Sequence, residues 1–175
     1  MIEITSGLLQ DFLDALGGCY RRSGRLYLVG GSSLILTEAK VSTLDVDIEF
    51  DIAPNHQREF MQCVRKLSKK MKIPVERAAP EHFIPLPKGF ENRHQFIGRF
   101  GSLDVFHYDF YAIALSKIYR GNEKDFTDVK MMILTKMIEL TQLEEDFNEI
   151  LPEVCLLYTS PSPRDLSTSR MPSSA

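Results

Sequence analysis

The sequence predicts an α/β protein of the α+β kind, in which a small mixed β-sheet is covered by helices and followed by a helical C-terminal part. Two observations lead to this prediction. Short strand-type runs alternate with longer stretches whose apolar residues recur every three or four positions, and only the helical pattern continues after residue 109. Two neighbouring strand candidates are joined by Gly101-Ser102, which suits a hairpin turn and hence an antiparallel pair.

The N-terminal part contains three helical and two strand-type segments. Thr5 and Ser6 are N-cap candidates for the first helix, whose apolar residues share one face. The first strand ends abruptly at Gly30-Gly31, so the second helix is expected to follow these glycines directly. The predicted elements are a helix within 3–22, a strand at 25–29, a helix at 32–39, a strand at 45–51 and a helix at 55–72.

Beyond Pro74, prolines and Gly89 interrupt every periodic pattern, which predicts a loop as far as residue 94. The remaining segments are again periodic. They are predicted as strands at 95–100 and 103–108 and as helices at 109–119, 122–138 and 142–151, the last of them ending at Pro152.

Composition limits the kind of protein. The chain has 175 residues, 43% of them hydrophobic, and a net charge of −3, which favours one domain with a core over a protein enveloped by nucleic acid. It has no apolar run long enough to span a membrane and its acidic start is unlike a signal peptide, so we expect a cytoplasmic protein without a membrane partner. Its three scattered cysteines predict neither a disulfide framework nor a metal site.

The last part of the chain, residues 155–175, differs from the rest because serine and proline occupy nine of its 21 positions. One interpretation is a disordered tail. The other is a non-native segment, since CLLYTSPSPRD followed by SRMPSSA resembles the translation of a sequencing-library adapter. The predicted domain therefore covers residues 1–154 and is expected to lack its native C-terminus.

A first candidate site is Gly30-Gly31-Ser32, between the first strand and the second helix. Glycines at such a turn let a ligand approach the backbone, and unpaired N–H groups at a helix start suit a phosphate. The serine hydroxyl can add a further donor. A turn of this kind is also common for purely structural reasons, and both interpretations stay open.

A second candidate is Asp45-Val-Asp47, which continues with Glu49 and Asp51 at alternate positions. Residues two apart on a strand face the same side, so these carboxylates form one row. A row of like charges repels itself, and a divalent cation such as Mg²⁺ would relieve the repulsion. We therefore expect Asp45 and Asp47 to bind metal and the other two to be a solvated continuation.

Asp104 is the third candidate, because it lies between apolar residues in a predicted strand. If this strand lies next to the first one, its carboxylate can complete a metal site with Asp45 and Asp47. The alternative is that Asp104 lies at the edge of the hairpin and contacts only water.

The order of strand, Gly-Gly-Ser, helix, Asp-x-Asp strand and later strand Asp resembles that of the nucleotidyltransferase superfamily, whose fold is shared with polymerase beta. Its signature is Gly-[Gly/Ser] followed by Asp-x-[Asp/Glu], with a third carboxylate on a later strand. The resemblance implies that two Mg²⁺ ions, or Mn²⁺ in their place, orient the triphosphate and activate the acceptor. It assigns the metal and catalytic carboxylates to Asp45, Asp47 and Asp104, and nucleotide binding to Gly30, Gly31 and Ser32.

The segment with Lys117, Arg120, Lys124, Asp125 and Asp128 resembles the helical Lys…Arg…Lys-Asp-x-x-Asp stretch of AbiEii-like nucleotidyltransferases, which include toxins of bacterial toxin–antitoxin systems. This resemblance implies that Lys117 is catalytic and contacts the nucleotide phosphates, with Asp125 also at the nucleotide. Asp125 can equally stabilise the start of a helix as an acidic residue near an Asn122 N-cap.

In this AbiEii-like branch a basic residue often comes just before Asp-x-Asp, whereas residues 42–44 are uncharged here and Lys40 lies further back.

These assignments predict transfer of a nucleoside monophosphate from an NTP to a hydroxyl of RNA or protein, in a toxin that has a cognate antitoxin. A rival hypothesis is a non-catalytic module of the same fold that binds nucleotide or a partner. A third is a phosphotransferase that acts on a small molecule. The basic helix face at residues 65–72 is either solvated surface or, with an RNA acceptor, a set of phosphate contacts.

Overall fold

The computed structural model describes residues 3–159, which contain six α-helices, five strands and three short 3-10 turns. The helices are α1 (Ser6–Cys19), α2 (Gly30–Leu36), α3 (Gln57–Met71), α4 (Phe110–Arg120), α5 (Glu123–Leu134) and α6 (Leu140–Thr159). The strands are β1 (Gly24–Val29), β2 (Val46–Asp51), β3 (Val75–Arg77), β4 (Gln95–Phe100) and β5 (Leu103–His107). The predicted α+β class is confirmed.

The five strands form one mixed sheet in the order β3-β2-β1-β5-β4. The central strand β1 pairs antiparallel with β2 and parallel with β5, and β4 and β5 form the predicted hairpin. The register sets Val29 opposite Asp47 and Leu28 opposite His107. The end of β1, the start of β2 and the end of β5 therefore lie side by side at one end of the strands, directly before α2.

The outer strand β3 was not predicted. It has three residues and follows Pro74, so it is too short to show a strand period in the sequence. It pairs parallel with β2, and the Val46 N–H donates to the Pro74 carbonyl over 2.8 Å just before the strand begins. The predicted loop between Pro74 and residue 94 thus contains an edge strand next to the acidic segment.

The last helix is longer than predicted. Its interior contains Pro152, where the prediction ended it, and it continues to Thr159. A proline removes one backbone N–H from the helix, and here the helix continues on its far side. The expected domain boundary at residues 154–155 falls inside α6, and residues 160–175 of the expected tail lie outside the described residues. Among residues 3–159 no helix is long and apolar enough to cross a lipid bilayer.

Each face of the sheet is covered by its own hydrophobic core. On one face, α1 and α3 pack on the alternate residues of the central strands that include Leu26, Leu28 and Ile48. On the other face, Val29 and Tyr108 pack with residues of α4, α5 and α6. The strands are thus buried from both sides, as in other layered α/β domains.

Cys19 and Cys63 form a disulfide. This corrects the expectation that the cysteines form no disulfide framework. The two residues are 44 positions apart in the sequence, with Cα atoms 5.9 Å apart. Cys19 ends α1 and Cys63 lies in α3, and these helices pack side by side on the same face of the sheet. The pairing depends on that tertiary contact, which the cysteine spacing does not reveal.

His107, at the end of β5, is a buried polar residue that joins the sheet to α2. One of its ring nitrogens, Nδ1, shares a hydrogen bond of 2.7 Å with the hydroxyl of Ser33, which is itself fully buried. Burial lowers the pKa of His107 from 6.5 to about 4. The folded protein therefore keeps this ring neutral at pH values where the unfolded chain takes up a proton.

This difference predicts an acid-dependent loss of stability. Because the folded pKa is the lower one, the stabilisation is complete above pH 6.5 and is lost as the pH falls towards 4, by about 3 kcal/mol. We expect His107→Gln to flatten the dependence of the unfolding free energy on pH over this interval, measured by urea denaturation. The exposed His82 provides the control, since His82→Gln should retain the wild-type slope. An unchanged slope in His107→Gln would contradict the assignment.

Candidate functional site

A cleft of about 750 Å³ opens at the end of the sheet where the central strand β1 finishes. One wall consists of the segment before β2 together with β2 and β3, and the other consists of α4 and α5. Its charged lining residues are Glu3, Lys40, Asp45, Asp47, Glu76, Lys117, Arg120, Lys124, Asp125 and Asp128. The cleft thus brings the Gly-Gly turn and the Asp-x-Asp segment together with the Lys…Asp-x-x-Asp stretch, which lies much later in the sequence.

Three carboxylates share the sheet-side wall of this cleft. Asp45 directly precedes β2, Asp47 is its second residue, and Glu76 lies opposite Asp47 on the parallel strand β3. Burial, followed by the charges of Asp45 and Glu76, raises the pKa of Asp47 to about 7, although Arg120 and Lys117 act in the opposite direction. A positive charge in the cleft would favour the ionised carboxylate, because it offsets this repulsion.

Ser32 positions the acidic pair and has no exposed surface. Its hydroxyl accepts a hydrogen bond of 2.8 Å from the Asp47 N–H and lies 3.4 Å from the Asp45 carbonyl, to which it donates. Both functions of the hydroxyl are therefore used by the backbone of the acidic segment. The hydroxyl proton is thus directed at the Asp45 carbonyl, and Ser32 is not among the residues that line the cleft.

The two glycines of the turn allow the same close packing. Gly30 has a φ of +56°, and a Cβ placed on it would lie 2.7 Å from an Asp47 carboxylate oxygen. A Cβ on Gly31 would collide with the hydroxyl of Thr43, which donates to Asp45 over 3.4 Å. Gly30 is buried, whereas Gly31 lines the cleft, so only Gly31 is placed where a ligand could approach.

The helical wall is a network of ion pairs around Lys117. This lysine is 4% exposed, and its Nζ donates to Asp125 over 3.0 Å and to Asp128 over 2.7 Å. Lys40 also donates to Asp128, over 3.1 Å, which connects the loop before β2 to α5. Arg120 contacts Asp125 over 2.9 Å. The network places several cationic groups opposite the acidic wall.

Asp125 accepts hydrogen bonds from three side chains of this wall. Burial alone would raise its pKa, but hydrogen bonds from Arg120 and Lys117, and a weaker one from Asn122, lower it to about 2. Asn122 is the N-cap residue of α5 but makes no side-chain cap bond, and its amide donates to Asp125 instead. The carboxylate therefore remains ionised and holds the cations in place.

Asp104 does not reach the cleft, so its expected role as the third metal ligand is corrected. The sheet register sets Asp104 opposite Arg25 at the start of β1, whereas Asp47 lies opposite Val29 at its end. Four strand residues, or about 13 Å, separate these positions along β1. Arg99 of the hairpin pairs with Asp104 over 2.7 Å, and this hydrogen bond lowers the pKa of the carboxyl.

Glu49 also differs from its expected role as a solvated residue. It is 7% exposed and forms an ion pair with Arg77 of β3, with a closest distance of 2.6 Å. Asp51, at the far end of β2, is exposed as expected. The acidic row of β2 is thus divided into a pair in the cleft, an internal ion pair and a surface residue.

The donor set of the acidic wall fits a hard divalent cation. Asp45 and Asp47 supply carboxylate oxygens, the ligands that Mg²⁺ prefers. Across residues 3–159 no group of three His, Cys, Asp or Glu side chains is arranged to hold a metal by itself. Mg²⁺ commonly binds through one or two carboxylates together with water and substrate phosphates, which is compatible with this pair.

The sequence motifs did not identify Glu76 or Lys40 as residues of this site. Glu76 lies in a strand too short to show a pattern, and Lys40 lies outside the Asp-x-Asp motif. Asp128 was visible only within the Lys…Asp-x-x-Asp stretch, and its partner Lys40 is 88 residues away in the sequence. Long-range pairing brings these three residues to the cleft.

Removing the Ser32 hydroxyl tests its positioning role. We expect Ser32→Ala to lower the unfolding free energy by about 1–3 kcal/mol, because it leaves the Asp47 N–H without its hydrogen-bond partner. The measurement is urea denaturation at pH 7.5. Ser42→Ala, which removes a hydrogen bond to Glu3 near the surface, should cost less than about 1 kcal/mol. Equal effects of the two substitutions would contradict this role.

Comparison with known proteins identifies the family of the chain. No curated protein and no solved structure matches the chain. A family model described as a nucleotidyltransferase of unknown function (DUF6036) matches residues 9–162, a range that includes all five strands and nearly all of the cleft lining. The superfamily expected from the sequence is thereby confirmed. The chain belongs to this family of nucleotidyltransferases.

Proposed function

We propose that the protein transfers a nucleoside monophosphate from an NTP to a hydroxyl group of RNA or protein, in a reaction that depends on Mg²⁺. The observation that carries this proposal is the pairing of opposite walls in one cleft. Asp45, Asp47 and Glu76 face a wall that contains Lys117 and Arg120. A metal–triphosphate complex needs anionic ligands on one side and cationic groups on the other, which is what these walls offer.

The cleft also has the size and polarity for a nucleotide. Its volume of about 750 Å³ falls within the range of small-molecule sites. Leu44, Ala78 and Phe83 supply apolar lining, to which a base can bind. The Arg120 guanidinium carbon lies 5.4 Å from the centre of the Phe83 ring, so the apolar and cationic parts are adjacent.

Asp45 and Asp47 are the residues that would hold the cation, with Mn²⁺ as a possible substitute for Mg²⁺ and two ions expected from the superfamily resemblance. When bound, the metal would neutralise phosphate charge and make the acceptor hydroxyl more acidic. Ser32 and Gly30 keep the two carboxylates side by side, through the hydroxyl bonds and through the close packing of the turn. Their part in the reaction is to position these carboxylates.

Lys117 is suited to contact the triphosphate. An ammonium group has three N–H donors, and Asp125 and Asp128 accept from it. A third donor is therefore available for a phosphate oxygen. Lys40 and Arg120 add positive charge on either side, and Lys40 supplies the basic residue that residues 42–44 lack.

In the proposed reaction the acceptor oxygen forms a bond to the α-phosphorus, and the bond from that phosphorus to the oxygen leading to the β-phosphate breaks. Pyrophosphate leaves with this oxygen. The acceptor proton passes to a carboxylate, and we assign this role to Glu76, since it is exposed beside Asp47. The AbiEii-like resemblance further supports a toxin whose transfer activity a cognate antitoxin would restrain.

Replacing Asp47 tests the reaction. The purified protein is incubated with each α-³²P-labelled NTP, Mg²⁺ and total cellular RNA, and label is measured in RNA and in protein. We expect Asp47→Asn to reduce transfer at least about a hundredfold, because it removes an anionic metal ligand. Asp51→Asn, a matched change at the exposed end of the same strand, should retain wild-type transfer.

Wild-type transfer in Asp47→Asn would overturn the assignment of the site. Label that appears only in a small product would identify a small-molecule acceptor in place of RNA or protein. EDTA should abolish the wild-type reaction, and excess Mg²⁺ should restore it.

A second pair of variants asks which carboxylate completes the acidic wall. We expect Glu76→Gln to lower kcat at least about tenfold with little change in stability, because Glu76 is exposed and faces the cleft. Asp104→Asn should leave kcat unchanged, since Asp104 pairs with Arg99 at the opposite end of β1. The reverse outcome would refute the role of Glu76 and return the catalytic role to Asp104.

The alternative function is a module that binds nucleotide without turnover. One observation favours it, namely that no three-ligand metal cluster is formed among the residues the structure describes. The two functions differ in a single experiment. Calorimetric binding of Mg²⁺–ATP, with no transfer from any of the four NTPs, would support the binding module.

A further inference from the structure

One helix carries most of a dense basic surface. The exposed cationic residues of α3 and its C-cap are Arg58, Arg65, Lys66, Lys69, Lys70 and Lys72. The only acidic residue of the helix, Glu59, pairs with Arg22, in the connection between α1 and β1, over 2.8 Å. In a chain with a net charge of −3, this face is strongly positive.

The cations of α3 differ from many others in the fold because they lack carboxylate partners. Elsewhere Arg99 pairs with Asp104, and Lys88 pairs with Glu149. Within residues 3–159 none of the six cationic side chains listed for α3 forms an ion pair with an acidic residue. Unpaired charges of one sign along about 20 Å of helix attract a polyanion.

The basic helix leads directly to the acidic wall of the cleft. After α3 ends, Lys72 takes a left-handed conformation and turns the chain into β3. The Pro74 carbonyl accepts a hydrogen bond from Val46, which lies between Asp45 and Asp47. The C-terminal end of α3 therefore lies at the same edge of the sheet as the carboxylates, with the exposed edge strand β3 between them.

A groove of about 420 Å³ runs along the N-terminal half of α3. Three arginines line it, Arg58 and Arg65 from α3 and Arg77 from β3, together with the amides of Gln57 and Gln62. Arg77 directly follows Glu76 of the cleft wall. Because Arg77 is paired with Glu49, the positive charge of the groove comes mainly from Arg58 and Arg65, and the groove joins the basic face of α3 to the edge strand.

We propose that α3 binds the phosphate backbone of a single-stranded RNA whose terminal ribose hydroxyl enters the cleft as the acceptor. The inference rests on the proposed transfer function and narrows its acceptor from RNA or protein to RNA. The only aromatic residue of α3, Phe60, is fully buried, so the helix offers phosphate contacts and no ring for base stacking. Binding is therefore largely independent of sequence and strongly dependent on salt.

The probe is a fluorescein-labelled 20-nucleotide RNA of mixed sequence, with binding to the full chain measured by fluorescence anisotropy between 50 and 200 mM KCl. We expect Lys66→Gln/Lys70→Gln to weaken binding at least tenfold at 50 mM KCl. It should also reduce the slope of log K against log salt by about 1.4, the value for two lost contacts to a single strand. Lys130→Gln/Lys136→Gln removes the same charge from exposed positions on and after α5 and should bind as the wild type does.

Three outcomes would overturn the proposal. They are wild-type binding by the α3 variant, an equal loss in the control variant, and equally tight binding of a poly-glutamate of 20 residues, which would indicate an acidic protein. A DNA strand of the same sequence that binds more tightly than the RNA would replace RNA by DNA as the ligand.

The RNA-binding surface and the proposed transfer reaction can be refuted separately. Asp51→Asn, at the exposed end of β2 and outside both the cleft and α3, should bind the RNA as the wild type does. RNA binding through α3 without transfer would refute the proposed function but not this surface. Transfer to RNA at subsaturating concentration, unchanged in Lys66→Gln/Lys70→Gln, would refute this surface and leave the function standing.

Discussion

The rest of the structure depends on the attachment of the acidic segment to the turn after β1. Ser32 bonds to the backbone on both sides of Val46, and Gly30 lets the Asp47 carboxylate approach the turn. A side chain at Gly30 or the loss of the Ser32 hydroxyl would weaken this attachment. The serine of the motif therefore acts through the protein backbone, and the small residues of the turn decide where the carboxylates lie.

That attachment places like charges close together, and the cations of the opposite wall reduce the resulting electrostatic repulsion. Burial and two neighbouring carboxylates raise the pKa of Asp47 to about 7, and the cations of α4 act against the shift. These cations are themselves kept in position by Asp125 and Asp128. The cleft is consequently an arrangement of coupled charges, which a bound cation and a polyphosphate would complete on both sides.

The positive charge of the chain is divided between two environments. Within the cleft, Lys40, Lys117 and Arg120 are paired and hold a defined geometry. On α3, the cationic side chains are exposed and lack carboxylate partners among the described residues. Paired cations are suited to orient one small ligand, whereas unpaired cations along a helix are suited to a flexible polyanion. The net charge of −3 therefore does not reveal that the chain has two different electrostatic surfaces.

The local features of this protein could be read from its amino-acid sequence alone. The period of two in β2, the apolar period of the helices and the Gly-Gly turn were readable, because each depends on neighbouring residues, and they led to the correct fold class and superfamily. The tertiary structure decided which distant residues meet. Glu76 reaches the cleft, Asp104 does not, and Cys19 joins Cys63, because strand register and helix packing join segments whose local patterns carry no record of their partners.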